Sequence, residues 1–187
     1  MRYRDLMDSL KSLYEERDEA LRGEFDRSLP FQDGIFDRWD RARRLGFGSG
    51  ASIYNSSLVF GKVAVGEESW IGPYTLLDGS GGGIVIGHHC SVSAGVHIYT
   101  HDTVHWSLSA GRSTKKEGAV KVGDCTYIGS HSILNVGINV GSHSVIAANC
   151  FANHDVPDFT IVAGTPARKI GIVEIEGDEI KLNYDEN

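Results

Sequence analysis

Two histidines in one irregular segment, His101 and His105, are the residues of this sequence best suited to proton transfer. They lie within residues 99–121, which also contain Asp102 and Trp106. An imidazole with an ordinary pKa of about 6.5 can accept a proton at neutral pH, which suits a general base. A long stretch without periodic structure in a compact domain is either functional or disordered. Because the sequence Tyr-Thr-His-Asp directly follows a periodic apolar position, we expect this segment to be functional.

A second irregular segment is the glycine cluster that follows Asp78, residues 79–83 (GSGGG). An aspartate before glycine commonly stabilises a turn, and this interpretation stays open beside a role in binding. The cluster does not match the Gly-x-Gly-x-x-Gly pattern, and no helical pattern follows it. We therefore expect no dinucleotide site here.

The cysteines of the sequence are few and widely separated, at Cys90, Cys125 and Cys150. None belongs to a Cys-x-x-Cys pair. This pattern favours a reduced, cytoplasmic protein over a disulfide scaffold or a zinc ribbon. We interpret all three as buried small residues.

The elements that position these residues follow from a six-residue repeat that begins near residue 47. The repeat has two interruptions. At Ser80–Gly83 its phase shifts by three residues, whereas between Ile98 and Val122 it is absent for 24 positions and then continues in the same phase. The periodic apolar positions are Ile53, Val59, Val65, Ile71, Leu77, Ile86, Val92, Ile98, Val122, Ile128, Leu134, Val140 and Ile146. Glycine follows several of them, at Gly66, Gly72, Gly87, Gly123, Gly129 and Gly141. A small residue often precedes them by two, at Ser69, Thr75, Cys90, Thr126, Ser132 and Ser144.

A period of six is typical of short strands joined by tight bends. One apolar side chain per repeat points inward, a small one stacks beside it, and glycine is expected to permit the bend. Three such strands close a coil of about eighteen residues, and coils stack at about 4.8 Å. The sequence therefore predicts a mainly β fold, a parallel β-helix of about five coils over residues 47–171, from which residues 99–121 protrude.

The two ends of the chain have other patterns. Residues 1–46 predict a short helical segment without chemistry that closes the first end of the β-helix. Its apolar positions are Tyr3, Leu6, Met7, Leu10, Leu13, Tyr14 and Leu21 in one helix and Phe36, Trp39, Ala42 and Leu45 on one side of a second. Residues 172–187 alternate around Gly177-Asp178, which predicts a β-hairpin or tail.

The composition excludes several classes of function. The chain has 187 residues, a net charge of -7 and 23 glycines, about 12% against the usual ~7%, but only four prolines. High glycine without proline excludes collagen. No apolar run exceeds the four residues Val145–Ala148, so we expect no transmembrane helix and no membrane insertion. The acidic balance lacks the basic surface that nucleic acids require.

Three stretches resemble the hexapeptide-repeat acetyltransferases: residues 74–82 (YTLLDGSGG), 96–111 (VHIYTHDTVHWSLSAG) and 162–169 (VAGTPARK). The resemblance is to the sugar acetyltransferases of this family, which include the galactoside, maltose and nodulation-factor O-acetyltransferases and relatives in O-antigen and capsule clusters. It covers roughly residues 47–170. It implies a left-handed β-helix, a homotrimer with active sites in clefts between neighbouring chains, and acetyl-CoA as co-substrate with no metal required.

The resemblance also implies roles for particular residues. In the sugar O-acetyltransferases the general base lies in a Thr-x-His-Pro-Val-His motif, which residues 100–105 (THDTVH) match with one gap. This alignment implies His101 as the catalytic base, and a different gap placement implies His105. An Asn or Asp in the position of Asp78 contacts the acceptor in that family. The candidates for substrate binding are therefore Asp78, Asp102, His105 and Trp106, with a solvated loop carboxylate as the other interpretation of Asp102.

The family binds CoA through backbone amides of the late coils and basic residues near the end of the β-helix. The matching positions are Gly129, Ala147, Arg168 and Lys169. Arg168 and Lys169 are isolated cations in an acidic chain, which suits a phosphate-rich donor. An ordinary surface pair is the other interpretation.

The resemblance implies transfer of an acetyl group to a hydroxyl or amine of a sugar or nucleotide sugar in surface-polysaccharide assembly. The alternatives are a non-sugar acceptor, either serine or an antibiotic, and a non-catalytic assembly module. The γ-class carbonic anhydrases share this fold, but their zinc pattern is one histidine and later a pair five residues apart on regular coils. Because His101 and His105 are four residues apart on an irregular segment, we expect no metal site.

Overall fold

The computed structural model describes residues 3–185. The helices are α1 (Tyr3–Phe25), α2 (Phe31–Ile35), α3 (Arg38–Arg44) and α4 (Val104–Leu108). The strands are β1 (Ser52–Ile53), β2 (Leu58–Val65), β3 (Trp70–Ile71), β4 (Leu76–Ile86), β5 (Ser91–Val92), β6 (His97–Tyr99), β7 (His101–Asp102), β8 (Lys116–Glu117), β9 (Val120–Val122), β10 (Tyr127–Ile128), β11 (Ile133–Leu134), β12 (Asn139–Val140), β13 (Val145–Ile146), β14 (Phe151–Ala152), β15 (Thr160–Ala163), β16 (Arg168–Glu176) and β17 (Glu179–Tyr184). None of the helices within residues 3–185 has the length and apolarity needed to cross a bilayer.

Parallel pairing of strands from successive coils builds the β-helix. One sheet contains β1, β3, β5, β10, β13 and β15 in that order, and its register places Ile53 beside Ile71. The other sheet contains β2, β4, β6, β9, β11, β12 and β14. The long strand β4 runs around a corner, because residues 76–78 pair with β6 and residues 84–86 pair with β9. The predicted parallel β-helix is confirmed.

The periodic apolar residues form the core. All of the predicted positions are buried except Val59, which is half-buried against the core. The small residues that precede them are buried too, and the hydroxyl groups of four of them, Ser69, Thr126, Ser132 and Ser144, join successive coils. Ser69 Oγ donates to the Gly87 carbonyl, and Ser132 Oγ donates to the Ala147 carbonyl, both at 2.7 Å. The small position therefore contributes hydrogen bonds as well as space.

The bends between flat faces are made mainly by left-handed residues other than glycine, which corrects the expectation from the sequence. Eight residues that directly precede buried small positions have φ between 52° and 60°: Glu68, Tyr74, His89, Cys125, His131, His143, Asn149 and Phe159. The glycines that follow the apolar residues are not left-handed. They allow close stacking instead, because a Cβ on Gly123 would lie 2.5 Å from the Ser142 amide nitrogen of the next coil.

The N-terminal helices differ in how they contact the β-helix. α3 closes the first end, where Ala42 joins the core and the Arg41 guanidinium donates to the carbonyls of Tyr54 and Ser57. α1 has no buried residue, and its Tyr14 ring lies 5.9 Å from Phe31 of α2.

The side chains of Phe36, Trp39 and Leu45 are exposed, and the prediction that Phe36 shares a helix with Trp39, Ala42 and Leu45 is wrong. The cause is the position of the helix start. Asp37 caps α3 by accepting hydrogen bonds from the Trp39 and Asp40 amides, so Phe36 lies outside the helix. Trp39 instead lies 4.1 Å from the Arg38 guanidinium.

At the other end, β16 and β17 form the antiparallel hairpin that the alternation predicts. Gly177 occupies its turn with φ 61°, and Ile175 pairs with Ile180. β16 also pairs antiparallel with β15, so the hairpin covers the last edge of the first sheet.

Residues 99–121 form an ordered protrusion. β7 and β8 pair antiparallel, with His101 opposite Glu117 and Asp102 opposite Lys116, and α4 lies between them. β9 then rejoins the second sheet beside β4.

Candidate active site

The two irregular segments of the sequence meet at one point of the β-helix. β4 lies beside β6, and the register pairs Asp78 with Tyr99. Thr100, which follows Tyr99, is hydrogen-bonded to the neighbouring coil. Its amide and hydroxyl groups both donate to the Asp78 carbonyl, at 3.1 and 2.6 Å. This contact between neighbouring coils brings His101, at the start of the protrusion, against Asp78.

Asp78, Ser80 and His101 form a compact polar cluster. Asp78 Oδ2 lies 3.5 Å from His101 Nδ1. Ser80 Oγ donates to Asp78 Oδ1 at 2.5 Å and lies 3.3 Å from His101 Nδ1. The side chains of Asp78 and His101 are 12% and 27% exposed, so the pair is shielded but reachable. A histidine held by a carboxylate at Nδ1 can use its other ring nitrogen, Nε2, as a general base.

Buried contacts behind the cluster fix the backbone of both segments. Thr100 is fully buried, and its Oγ1 accepts a hydrogen bond from the Gly81 amide at 2.8 Å. A Cβ on Gly81 would overlap the Thr100 carbonyl and lie 2.7 Å from His101 Cβ. Glycine at this position therefore permits the close approach of His101.

The other predicted residues of the protrusion lie outside this cluster. Asp102 Oδ1 accepts from the Val104 amide at 3.2 Å, so its carboxylate stabilises the start of α4. His105 is exposed on α4, and Trp106 is about half exposed beside Thr103 and Lys115. The geometry thus places His101, and not His105, beside a carboxylate.

The four residues predicted to bind CoA follow one track on the first sheet. Gly129 and Ala147 are one coil apart, and Ala163, one coil further, pairs with Arg168. The amides of Gly129 and Ala147 already donate to the Ile146 and Val162 carbonyls, at 2.8 and 2.9 Å. These two amides are therefore not free donors, and Gly129 is buried while Ala147 is partly exposed. The exposed Arg168 and Lys169 supply positive charge at the end of the track.

Several histidines of the β-helix lie away from the cluster. His89, His131 and His143 occupy left-handed corners, and the His143 ring stacks on Phe159 with centroids 5.0 Å apart. Across residues 3–185, no group of three His, Cys, Asp or Glu side chains is close enough to hold a metal ion.

Two of the cysteines match the expectation and one does not. Cys90 and Cys150 are buried at the small position, and burial raises the pKa of both thiols. Cys125 is exposed, which makes the expectation of burial wrong for this residue. It occupies the left-handed corner directly before Thr126, where side chains point outward.

Ser80 belongs to the cluster although the sequence does not mark it as a candidate. The sequence does contain a local indication, because a hydroxyl group two residues after an aspartate commonly forms a hydrogen bond with that carboxylate in a turn. The approach of His101 has no such local signal, because it depends on the pairing of β4 with β6.

Comparisons with known proteins give consistent relatives. No family model matches the chain. It is 30% identical to serine acetyltransferase 2 of Arabidopsis thaliana over 69% of this chain and 38% of that protein. It is 33% identical to protein CapG of Staphylococcus aureus over 55% and 65%, and 37% identical to the galactoside O-acetyltransferase of Escherichia coli K12 over 27% and 25%. The chain thus matches between a quarter and just under two thirds of the length of these relatives.

Solved structures extend the likeness over more of the chain. A hexapeptide-repeat acetyltransferase from Vibrio cholerae, complexed with acetyl-CoA, has 26% identity, covers 88% of this chain and 89% of its own, and gives a TM-score of 0.64. A variant of AntD, an N-acyltransferase from Bacillus cereus complexed with dTDP and CoA, has 26% identity, covers 67% and 72%, and gives 0.62. These neighbours have the left-handed β-helix fold, which confirms that part of the prediction.

Proposed function

Because this chain is a relative of the hexapeptide-repeat acetyltransferases, we propose that it transfers an acetyl group from acetyl-CoA to a hydroxyl or amine of a sugar. The observation that carries the proposal is the contact between His101 and Asp78. His101 lies at the start of the protrusion, where the sequence matches the base-containing motif of the sugar O-acetyltransferases with one gap, and Asp78 contacts it from β4.

In the proposed reaction His101 acts as the general base. Its Nε2 takes the proton of the acceptor hydroxyl or amine while the acceptor oxygen or nitrogen attacks the thioester carbonyl. The new C–O or C–N bond forms, the C–S bond breaks, and the proton leaves with the thiol. Asp78 stabilises the imidazolium that exists between these steps, since its carboxylate lies 3.5 Å from Nδ1. Backbone amides are proposed to stabilise the oxyanion.

We propose a sugar or nucleotide sugar as the acceptor, in the assembly of a surface polysaccharide. The galactoside O-acetyltransferase supports a carbohydrate, and AntD, whose complex contains dTDP, supports a nucleotide part of the acceptor. Asp78, Asp102, His105 and Trp106 are the proposed acceptor residues. Asp78 then has two roles, because its carboxylate already contacts His101.

The donor is proposed to lie along the track of Gly129 and Ala147. Ala147 is partly exposed on this track, and the exposed Arg168 and Lys169 offer positive charge for the phosphates of the donor. The relative from Vibrio cholerae was crystallised with acetyl-CoA, which supports this donor.

We further propose a homotrimer. His101 follows a strand of the second sheet, whereas Gly129 and Arg168 belong to the first. One chain therefore presents the base and the donor track on different sheets. Packing of neighbouring chains face to face would bring one of each together.

A cytoplasmic location is part of the proposal. All three cysteines are free, although Cys125 is exposed, which suits a reducing compartment.

Serine is the second candidate acceptor. The observation in its favour is the 30% identity to serine acetyltransferase 2. A purely structural module is the remaining alternative, and the shielded His101–Asp78 pair argues against it.

Release of free thiol from acetyl-CoA tests these possibilities together. The acceptor panel contains simple sugars, UDP-, GDP- and dTDP-linked amino sugars, serine and an aminoglycoside. We expect turnover with a sugar, and His101→Ala should lower it by at least about a hundredfold, the usual scale for loss of a general base, with acetyl-CoA binding retained. His154→Ala, which removes an exposed histidine, is the matched control. Turnover only with serine would favour the second candidate, and failure to bind acetyl-CoA would favour the structural module.

A further inference from the structure

We propose that Ser80 is a positioning residue that fixes the tautomer of His101. The proposal rests on the proposed function, in which Nε2 of His101 must be free of its proton. Ser80 touches both members of the pair: its Oγ lies 2.5 Å from Asp78 Oδ1 and 3.3 Å from His101 Nδ1.

The direction of these hydrogen bonds follows from counting hydrogens. A serine hydroxyl carries one hydrogen and can accept through its lone pairs. The Ser80 hydrogen is donated to Asp78 Oδ1. The contact between Ser80 Oγ and His101 Nδ1 can therefore be a hydrogen bond only if Nδ1 carries the hydrogen and donates it.

The carboxylate imposes the same direction. An ionised aspartate only accepts hydrogen bonds, so Asp78 Oδ2 also requires a hydrogen on Nδ1. The two acceptors share that N–H, and the serine distance is the shorter. In the neutral imidazole the hydrogen then resides on Nδ1, and Nε2 keeps the lone pair that a general base needs.

The backbone holds Ser80 in this position independently of its side chain. The Ser80 amide donates to Asp78 Oδ1 at 3.1 Å, and the Gly81 amide is bonded to buried Thr100. Removal of the hydroxyl should therefore leave the turn folded. The effect expected from Ser80→Ala is a change in the histidine, not a loss of structure.

Nitrogen NMR of protein labelled with 15N only at histidine reads the tautomer directly, without any substrate. The His101 signals are identified by their absence in His101→Ala. At a pH where the ring is neutral, the unmodified protein should have the hydrogen on Nδ1. Ser80→Ala should raise the fraction of rings with the hydrogen on Nε2, because only the longer contact of 3.5 Å between Nδ1 and Asp78 Oδ2 then remains. Ser80→Thr, which restores a hydroxyl, should return the ring to the Nδ1–H tautomer.

Kinetics supplies the second readout. We expect Ser80→Ala to lower kcat about tenfold, the loss of one hydrogen bond, with the KM for acetyl-CoA unchanged and with activity recovered in Ser80→Thr. Ser49→Ala, at an exposed serine in the first coil, is the matched control with no change in either readout.

The results separate the two proposals. An unchanged His101 tautomer in Ser80→Ala, or hydrogen on Nε2 in the unmodified protein, overturns the role of Ser80 whatever the activity. If Ser80→Ala changes the His101 tautomer but the unmodified protein transfers no acetyl group to any acceptor, the proposed function is overturned. The role of Ser80 in the hydrogen bonds of His101 is then still supported.

Discussion

Hydrogen bonds from the neighbouring coil and from its own turn hold Asp78 in position. Its carbonyl accepts from Thr100, and its carboxylate accepts from the amide and hydroxyl of Ser80 before it meets His101. Most of these donors belong to backbone or buried side chains. The carboxylate is therefore oriented before any acceptor binds, which is the arrangement that favours a general base.

Cys90 provides a test of burial at the scale of one residue. Burial raises the pKa of its thiol in the folded state, whereas the unfolded chain has the ordinary value of about 8.5. Above that pH the unfolded state loses its proton first. The stability associated with the neutral thiol is thus fully present below about pH 8.5 and is lost as pH rises further.

The variant Cys90→Ser should remove this dependence. Cys90 Sγ donates to the Gly123 carbonyl at 3.1 Å, as Ser69 and Ser132 donate at equivalent positions, so serine should cost no more than about 1 kcal/mol at pH 7. Urea denaturation from pH 7 to pH 10 should then favour the variant increasingly at high pH. Parallel curves for the two proteins would contradict the shifted pKa, and the common titration of Cys150 cancels in the comparison.

At the scale of elements, side chains at one corner join the coils. The Glu67 amide donates to His88 Nδ1 at 3.1 Å, and the His88 amide donates to Asp124 Oδ1 at 2.8 Å. The Asp124 amide donates to Ser142 Oγ, and the Ser142 amide donates to Asp158 Oδ1. Each coil thus satisfies an amide of the coil before it. Polar residues at this corner maintain the register on which the position of His101 depends.

Close stacking at the same corner predicts a large effect of Gly123→Ala. The new methyl group would lie 2.5 Å from the Ser142 amide nitrogen, and overpacking of this kind costs about 1–3 kcal/mol. A lower midpoint in urea denaturation is the expected result. Gly23→Ala is the control, because α1 has open space there and alanine should raise helix stability by about 0.5–1 kcal/mol. Equal behaviour of the two variants would be inconsistent with close coil stacking.

For the whole molecule, the proposed trimer makes the active site a property of two chains. The base and the donor track lie on different sheets of one β-helix. A chain that lacks the base and a chain that lacks the cations should then complement each other, because a mixed trimer contains some interfaces with both sets intact.

The complementation experiment combines His101→Ala chains with chains that carry both Arg168→Ala and Lys169→Ala. Each variant alone should have low activity at limiting acetyl-CoA, and the co-refolded mixture should recover part of it. Native mass spectrometry verifies that mixed trimers have formed, and light scattering gives the mass of the unmodified protein. Mixed trimers without recovery would place base and cations in the same chain, and a monomeric mass would overturn the trimer.

The sequence by itself determined the β-helix and the residues in its core. The apolar positions, such as Ile53 or Ile128, depend only on the local period of six, and all except Val59 are buried as that period requires. The sequence also located the two irregular segments, because a break in a regular repeat is visible without any structure. The match of residues 100–105 to a family motif, with one gap, favoured His101 and left His105 as the alternative.

Only the tertiary structure decided how those segments meet. The contacts of His101 with Asp78 and Ser80 cross more than twenty residues of sequence and depend on the register of β4 against β6. The place of Phe36 outside α3 likewise depended on where that helix begins, at the Asp37 cap. A hydrophobic period specifies which side chains turn inward, whereas polar contacts between coils depend on distances and hydrogen-bond directions that exist only once the coils have stacked.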